Sequence, residues 1–376
     1  MTAKPVIGVV GLGAMGLGIV QVFAQAGHQV MAADTYEPAR SSAAHRLAEV
    51  LAARVSAGKL DLATMDQTLA RVQIVDDLSG LAPAGVVIEA IIEKLAAKQS
   101  LFAQLEDAMR VDCVLATNTS SLPVAAIMQG LKHPRRGLGL HFFNPAPVMK
   151  LVELVTPPQA EASAVQLARQ VTEGAGKTVI ACADRPGFIV NRCARPFYGE
   201  ALALLEEGRT ASDIDAAMLA AGYRLGPFGL IDLVGADINL AATETLHAAM
   251  GRHPRYHVFD ALKRQVADGK LGRKTGQGFL HPDKPGVAPP DAGEIVLRIE
   301  AALANEAASL LDEGGVSEHH IDAAVKLGLN FPRGPFEAAR QHGVAKVIAE
   351  LHRLEQAAPP ALKGRYATMP ALEALT

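Results

Sequence analysis

The chain has 376 residues, 49% hydrophobic and 20% charged, which is enough for two or three domains with a core in each. Its 36 basic and 39 acidic side chains leave a net charge of −3, which argues against a nucleic-acid partner or a polybasic membrane-bound protein, and no apolar stretch reaches the ~18 residues of a membrane span. The N-terminus offers no targeting signal, and Cys113, Cys182 and Cys193 lack metal or redox spacing, so they read as reduced thiols of a cytoplasmic protein without a metal site.

Val6–Val10 is a continuous apolar run, the pattern of a strand buried on both faces. Beyond a cluster of glycines, Met15–Ala26 reads as a helix that Gly27 is placed to end. A second strand, Val30–Ala33, closes on Asp34, and residues 37–57 are helical in pattern. Further strands are expected at Val86–Glu89, Val114–Thr117, Gly137–Phe142, Leu151–Val155 and Thr178–Ala181, with helices near 94–109 and 160–174. Such alternation predicts an α/β fold, a doubly wound, Rossmann-like sheet over residues 1–183.

From Phe188 the periodicity is helical, with candidates at 188–207, 211–221 and 228–249 in a second domain spanning 184–281. A linker rich in proline and glycine occupies 282–293. The sequence then repeats itself. IVNRCARPFYGEALALLEEG (189–208) matches IVLRIEAALANEAASLLDEG (295–314), DIDAAM answers HIDAAV, and GPF recurs at 226–228 and 334–336. Shared helix composition does not produce Ile-Val-x-Arg, Asp-Ala-Ala and Gly-Pro-Phe in the same order, so residues 294–376 are a second, degenerate helical copy.

The glycine cluster is Gly11-Leu12-Gly13-Ala14-Met15-Gly16. It follows a strand and opens a helix, the context in which GxGxxG cradles a dinucleotide pyrophosphate on free helix N–H groups. Asp34, at the next strand end, suits both ribose hydroxyls and repels a 2′-phosphate, which favours NAD over NADP. Downstream lie NTSSL (118–122) and HFFNPAPVMKLVELV (141–155). Oxidation of an alcohol needs a base for the hydroxyl proton, and histidine titrates near neutrality. His141 ends one strand and Glu153 lies in the next, so strand pairing would join them as base and orienting carboxylate.

These motifs, with EAIIEKLAAKQSLF, DRPGFIVNR, GPFGLIDLVG and GRKTGQGF, make the chain resemble the L-3-hydroxyacyl-CoA dehydrogenase family from Val6 to about Phe279. The resemblance implies an NAD-dependent enzyme that oxidises an L-3-hydroxyacyl-CoA to the 3-ketoacyl-CoA, with His141 as general base and Glu153 as its partner. It makes Ser120 and Asn191 substrate-orienting groups. It places Glu93, Lys98, Asn118, Ser120, Asn144 and Lys274 at the cofactor beside the glycine loop, and the coenzyme A phosphates near Arg46, Arg54 and Lys59. In single-copy members the helical domain is the dimer interface, so the second copy implies either a homodimer or an intrachain pseudo-dimer. Pro254–Phe259 departs from many relatives and is expected to shape the acyl pocket. Two alternatives stand beside this reading: a dehydrogenase of free hydroxy or sugar acids, as in the lambda-crystallin and gulonate dehydrogenase branch, and a non-catalytic dinucleotide-binding protein. Retention of Ser120, His141, Glu153 and Asn191 together speaks against the second alternative.

Overall fold

Every apolar run identified above pairs with another in one eight-stranded sheet. The structure is a computed structural model that describes residues 4–375. The strands are β1 (Ile7–Val10), β2 (Val30–Ala33), β3 (Val72–Ile74), β4 (Val86–Glu89), β5 (Val114–Thr117), β6 (Gly137–Phe142), β7 (Leu151–Thr156) and β8 (Thr178–Ala183). Their order is β3-β2-β1-β4-β5-β6-β7-β8, and every pairing is parallel except β6 with β7. The chain leaves β1 toward β2 and later returns beside β1 as β4. That reversal opens a crevice at the carboxyl ends of β1 and β4, where doubly wound sheets bind ligands.

Helices α1 (Ala14–Gln25), α2 (Glu37–Ser56), α3 (Leu62–Ala70), α4 (Leu95–Ala108), α5 (Val124–Ile127) and α6 (Ala162–Gly174) complete this unit. Ile19, Val20 and Phe23 of α1, Leu47 and Leu51 of α2 and Ala168 of α6 join Ile7, Val9 and Ile88 of the sheet in one apolar core. Two elements were not expected. β3 is only three residues long, too short for a pattern, while α3 begins at Asp61, whose side chain accepts from the Thr64 amide.

The chain divides into two compact units between Arg185 and Pro186, two residues beyond the expected end of the sheet domain. The reason is local. The Asp184 carboxylate accepts the amides of Val124 and Ala125 at 2.9 and 2.6 Å, which ties it to the first unit.

The second unit is helical: α7 (Val190–Cys193), α8 (Arg195–Glu206), α9 (Ala211–Ala220), α10 (Pro227–Val234), α11 (Ala236–Ala249) and α12 (Asp260–Ala267), then α13 (Ala292–Asp312), α14 (Glu318–Leu329), α15 (Pro335–His342), α16 (Val344–Ala357) and α17 (Pro370–Glu373). The helix expected over 228–249 is broken into α10 and α11 at Gly235, where φ is +112°. The recurring motifs have a shared structural cause. Asp215 accepts the amides of Phe228 and Gly229, and Asp322 accepts those of Phe336 and Glu337. A Cβ on Gly226 or Gly334 would lie 2.3 or 2.2 Å from the Cγ of its aspartate, so aspartate and Gly-Pro-Phe are retained together.

Both copies belong to one compact unit, with α13 packed on α8 and α9. Their contacts are reciprocal. Arg192 donates to Glu306 and Glu313, and the equivalent Arg298 donates to Glu200 and Glu207. Arg255 and Tyr256 reach Glu306, whereas Arg365 and Tyr366 reach Glu200. Reciprocity of this kind marks a two-fold interface, here within one chain. It also gives Arg255 and Tyr256, expected at an acyl pocket, a place against the second copy.

Candidate active site

The glycine loop meets each steric demand of a dinucleotide cradle separately. Gly11 has φ +96°, and a Cβ there would lie 2.6 Å from the Ala90 carbonyl oxygen. A Cβ on Gly16 would sit 1.7 Å from the oxygen of Gly11, so only glycine lets α1 close on β1. Gly13 has no heavy atom within 4 Å of such a Cβ, so its bare backbone faces open space at the N-cap of α1. Asp34 braces the loop. Its Oδ2 accepts from the Leu12 amide at 2.7 Å and its Oδ1 from Tyr36 at 2.8 Å. Ala14 and Met15 form the first turn of α1. These features fit NAD.

Arg46, expected near the coenzyme A phosphates, also supports the glycine loop: its Nε donates to the Ser42 hydroxyl and its Nη2 to the carbonyls of Leu12 and Ala39.

At the carboxyl ends of β4 and β5 lies a polar stack that sequence reasoning saw only in pieces. Glu89 is fully buried. Its carboxylate accepts from Lys98 Nζ at 2.6 Å, the Thr117 hydroxyl at 2.6 Å and the Ile91 amide at 2.7 Å. Lys98, itself buried, also reaches Glu93 Oε2 at 3.2 Å. The other oxygen of Glu93 accepts from the Thr119 hydroxyl at 2.6 Å and from the amides of Ser120 and Ser121 at 2.9 and 3.1 Å. Burial raises the pKa of Glu93, but the Thr119 hydrogen bond and the Lys98 charge outweigh it and hold the carboxyl below its usual range. Lys98 and Glu93 are therefore not solvated helix charges. They carry the NTSSL loop from beneath. Asn118 Oδ1 accepts from the Phe142 amide at 2.8 Å, and Asp184 secures the residues just beyond the loop. Asp184 and Glu89 were missed as site residues; an Asp before Arg-Pro-Gly, and a Glu closing an apolar run, were the available signals.

In the antiparallel ladder of β6 and β7, His141 stands opposite Glu153. Directly opposed residues share a face, and His141 Nδ1 lies 2.6 Å from Glu153 Oε2. Both are buried, and the Phe143 ring lies 4.5 Å from the imidazole. Asn144 follows in the turn, with a cis bond to Pro145. In the helical unit, Asn191 sits on α7. Lys274 pairs with Asp237, in a segment that closes on Asp232 through the amides of Phe279, Leu280 and His281.

The profile of the 3-hydroxyacyl-CoA dehydrogenase NAD-binding domain matches residues 6–185, and that of the C-terminal domain of the same family matches 187–281 and again 293–375. The chain belongs to the 3-hydroxyacyl-CoA dehydrogenase family. It is 33% identical to a 3-hydroxyadipyl-CoA dehydrogenase of Escherichia coli K12, covering 93% of both chains. A 3-hydroxybutyryl-CoA dehydrogenase of Mycobacterium tuberculosis is 39% identical over 73% of this chain and 96% of its own. The crystal structure of a 3-hydroxybutyryl-CoA dehydrogenase from Escherichia coli K12 superposes with a TM-score of 0.93 at 32% identity, over 99% of this chain and 98% of that one. Like these 3-hydroxyacyl-CoA dehydrogenases, the chain is an NAD-dependent oxidoreductase acting on a 3-hydroxyacyl-CoA. No helix among the described residues is long and apolar enough to cross a membrane.

Proposed function

We propose that the chain oxidises an L-3-hydroxyacyl-CoA with the His141–Glu153 pair as its base, and that the 2.6 Å contact between them is the observation that best supports this role. With the Nδ1 proton directed at Glu153, Nε2 keeps its lone pair and takes the C3 hydroxyl proton. Glu153 fixes the tautomer and stabilises the imidazolium that results. When bound, NAD⁺ supplies the acceptor for the hydride that leaves the same carbon. Gly11, Gly13, Ala14, Met15, Gly16 and Asp34 hold its pyrophosphate and ribose, and Glu93, Lys98, Asn118, Asn144 and Lys274 complete its surroundings. The Ser120 hydroxyl and the Asn191 carboxamide orient the polar end of the substrate for attack. Three buried cysteines not joined in disulfides support a reducing, cytoplasmic compartment. The reciprocal ion pairs favour an intrachain pseudo-dimer over a homodimer built through the same helices.

The test is NADH oxidation with acetoacetyl-CoA, free acetoacetate and a keto sugar acid side by side. Turnover confined to the thioester is expected; a preference for either free acid overturns the reading. Replacing His141 by alanine should lower kcat by about 10²–10⁴-fold and leave NADH binding intact. Unchanged kcat would remove His141 as the base.

A further inference from the structure

The segment that carries Asn191 occurs twice in the chain, once strained and once relaxed. In the second copy the equivalent residues form the regular start of α13, and Leu297 stands in place of Asn191. In the first copy Gly187 has φ +73° and Phe188 φ +48°, a left-handed backbone that is costly for a buried aromatic residue. The chain then makes one short helix, α7, and α8 follows from Arg195 with Pro196 in its first turn. The Arg192 amide donates back to the Gly187 carbonyl at 3.0 Å, closing the turn. Backbone strain of this kind persists only where surrounding groups hold it.

The hold comes from the second copy. The side chain of Arg192 is fully buried. Its Nε donates to Glu306 at 2.5 Å, Nη1 and Nη2 donate to the two oxygens of Glu313 at 2.9 and 2.5 Å, and Nη2 also reaches the Ser309 hydroxyl at 3.2 Å. Bidentate pairing fixes a guanidinium in orientation as well as position. The two halves differ in detail: the residue equivalent to Ser309 is Ala203, and Arg298 Nη2 reaches the Tyr366 hydroxyl at 3.2 Å instead. On its other side, the Asn191 carbonyl accepts from Arg195 Nε at 3.2 Å.

We propose that the second copy, which has no asparagine of its own at this position, is a positioning element of the reaction: Glu306 and Glu313 fix Arg192, and through it the adjacent Asn191. The inference rests on the substrate-orienting role given to Asn191 above.

The pseudo-symmetry supplies its own control. Glu313→Gln and Glu207→Gln weaken equivalent ion pairs on opposite halves of one interface, at side chains 40% and 55% exposed. Both variants should lose a similar, small amount of thermal stability. Only Glu313→Gln should raise KM for acetoacetyl-CoA and lower kcat, by about tenfold in kcat/KM, within the ~100-fold that small misplacements of a positioning group cost. NADH affinity should not move. In an Asn191→Ala background Glu313→Gln should have no further kinetic effect, because the group it positions is gone. Equal kinetics for the Glu313 and Glu207 variants, or full additivity with Asn191→Ala, would overturn the proposal. Wild-type kinetics for Asn191→Ala alone would instead remove the role of Asn191 on which it rests.

Discussion

Gly13 and Gly16 lie three residues apart in one loop and are glycines for different reasons. Gly16 is required by the fold, since its Cβ would meet the Gly11 oxygen at 1.7 Å, whereas the space over Gly13 is open. Gly13→Ala should therefore keep the melting temperature of the parent and lose NAD affinity, while Gly16→Ala should lose both; calorimetry and NADH fluorescence titration separate the two. Equal loss of stability in both variants would contradict the assignment. At this scale the sequence was informative where spacing carries geometry. His141 and Glu153 end one strand and enter the next, so an antiparallel register sufficed to join them. Glu93 shows the limit. Its hydrogen bonds reach residues 119–121 from another loop, and no local pattern encodes that distance.

Among the elements, the NTSSL loop has little regular structure to hold it and depends on side chains from elsewhere. Glu93 gathers the hydroxyls of Thr119, Ser120 and Ser121 and the amides of Ser120 and Ser121 onto a single oxygen, and Lys98 balances its charge against buried Glu89. Glu93→Gln keeps the shape and removes the charge. It should cost about 1.5–3 kcal/mol of stability, the range for hydrogen bonds to a charged group, and should speed amide exchange at 118–122. Unchanged exchange there would mean that the loop is held by Asn118 and Asp184 alone. The strands were legible because strands buried on both faces are mostly apolar: β1 carries no polar side chain, and β4 and β5 are apolar up to their last residues, Glu89 and Thr117. Element boundaries were less so. The break at Gly235 hides inside one continuous helical periodicity, although the glycine itself was the available signal.

For the molecule as a whole, the two copies are joined through buried charge. Burial raises the pKa of Glu200, but Arg365 and Arg298 outweigh it and hold its carboxyl below the ordinary value of 4.5. Native Glu200 thus binds its proton less readily than the unfolded chain does. The stability it lends is complete above the ordinary value and is lost as pH falls through the lower native one. Glu200→Gln should cost about 3–5 kcal/mol at neutral pH, because the buried Arg365 guanidinium loses its carboxylate and Arg298 loses one of its two, and its melting temperature should fall less steeply with acid than that of the parent. Parallel acid profiles would show that other carboxylates govern the transition. The duplication was legible in the sequence, but the face it buries was not, since that required Arg192 and Glu306 to be seen in contact. Encoding both halves of a two-fold interface in one polypeptide has an evolutionary consequence. In a homodimer every substitution is felt twice, once on each side of the axis, so the interface must stay complementary to itself. Here each position varies alone: Asn305 bonds Met369 and Ala367 where its equivalent is Gly199, and Ser309 replaces Ala203. A tether also keeps the halves at high effective concentration, so dilution does not part them. One half was therefore free to discard its chemistry while keeping its grip.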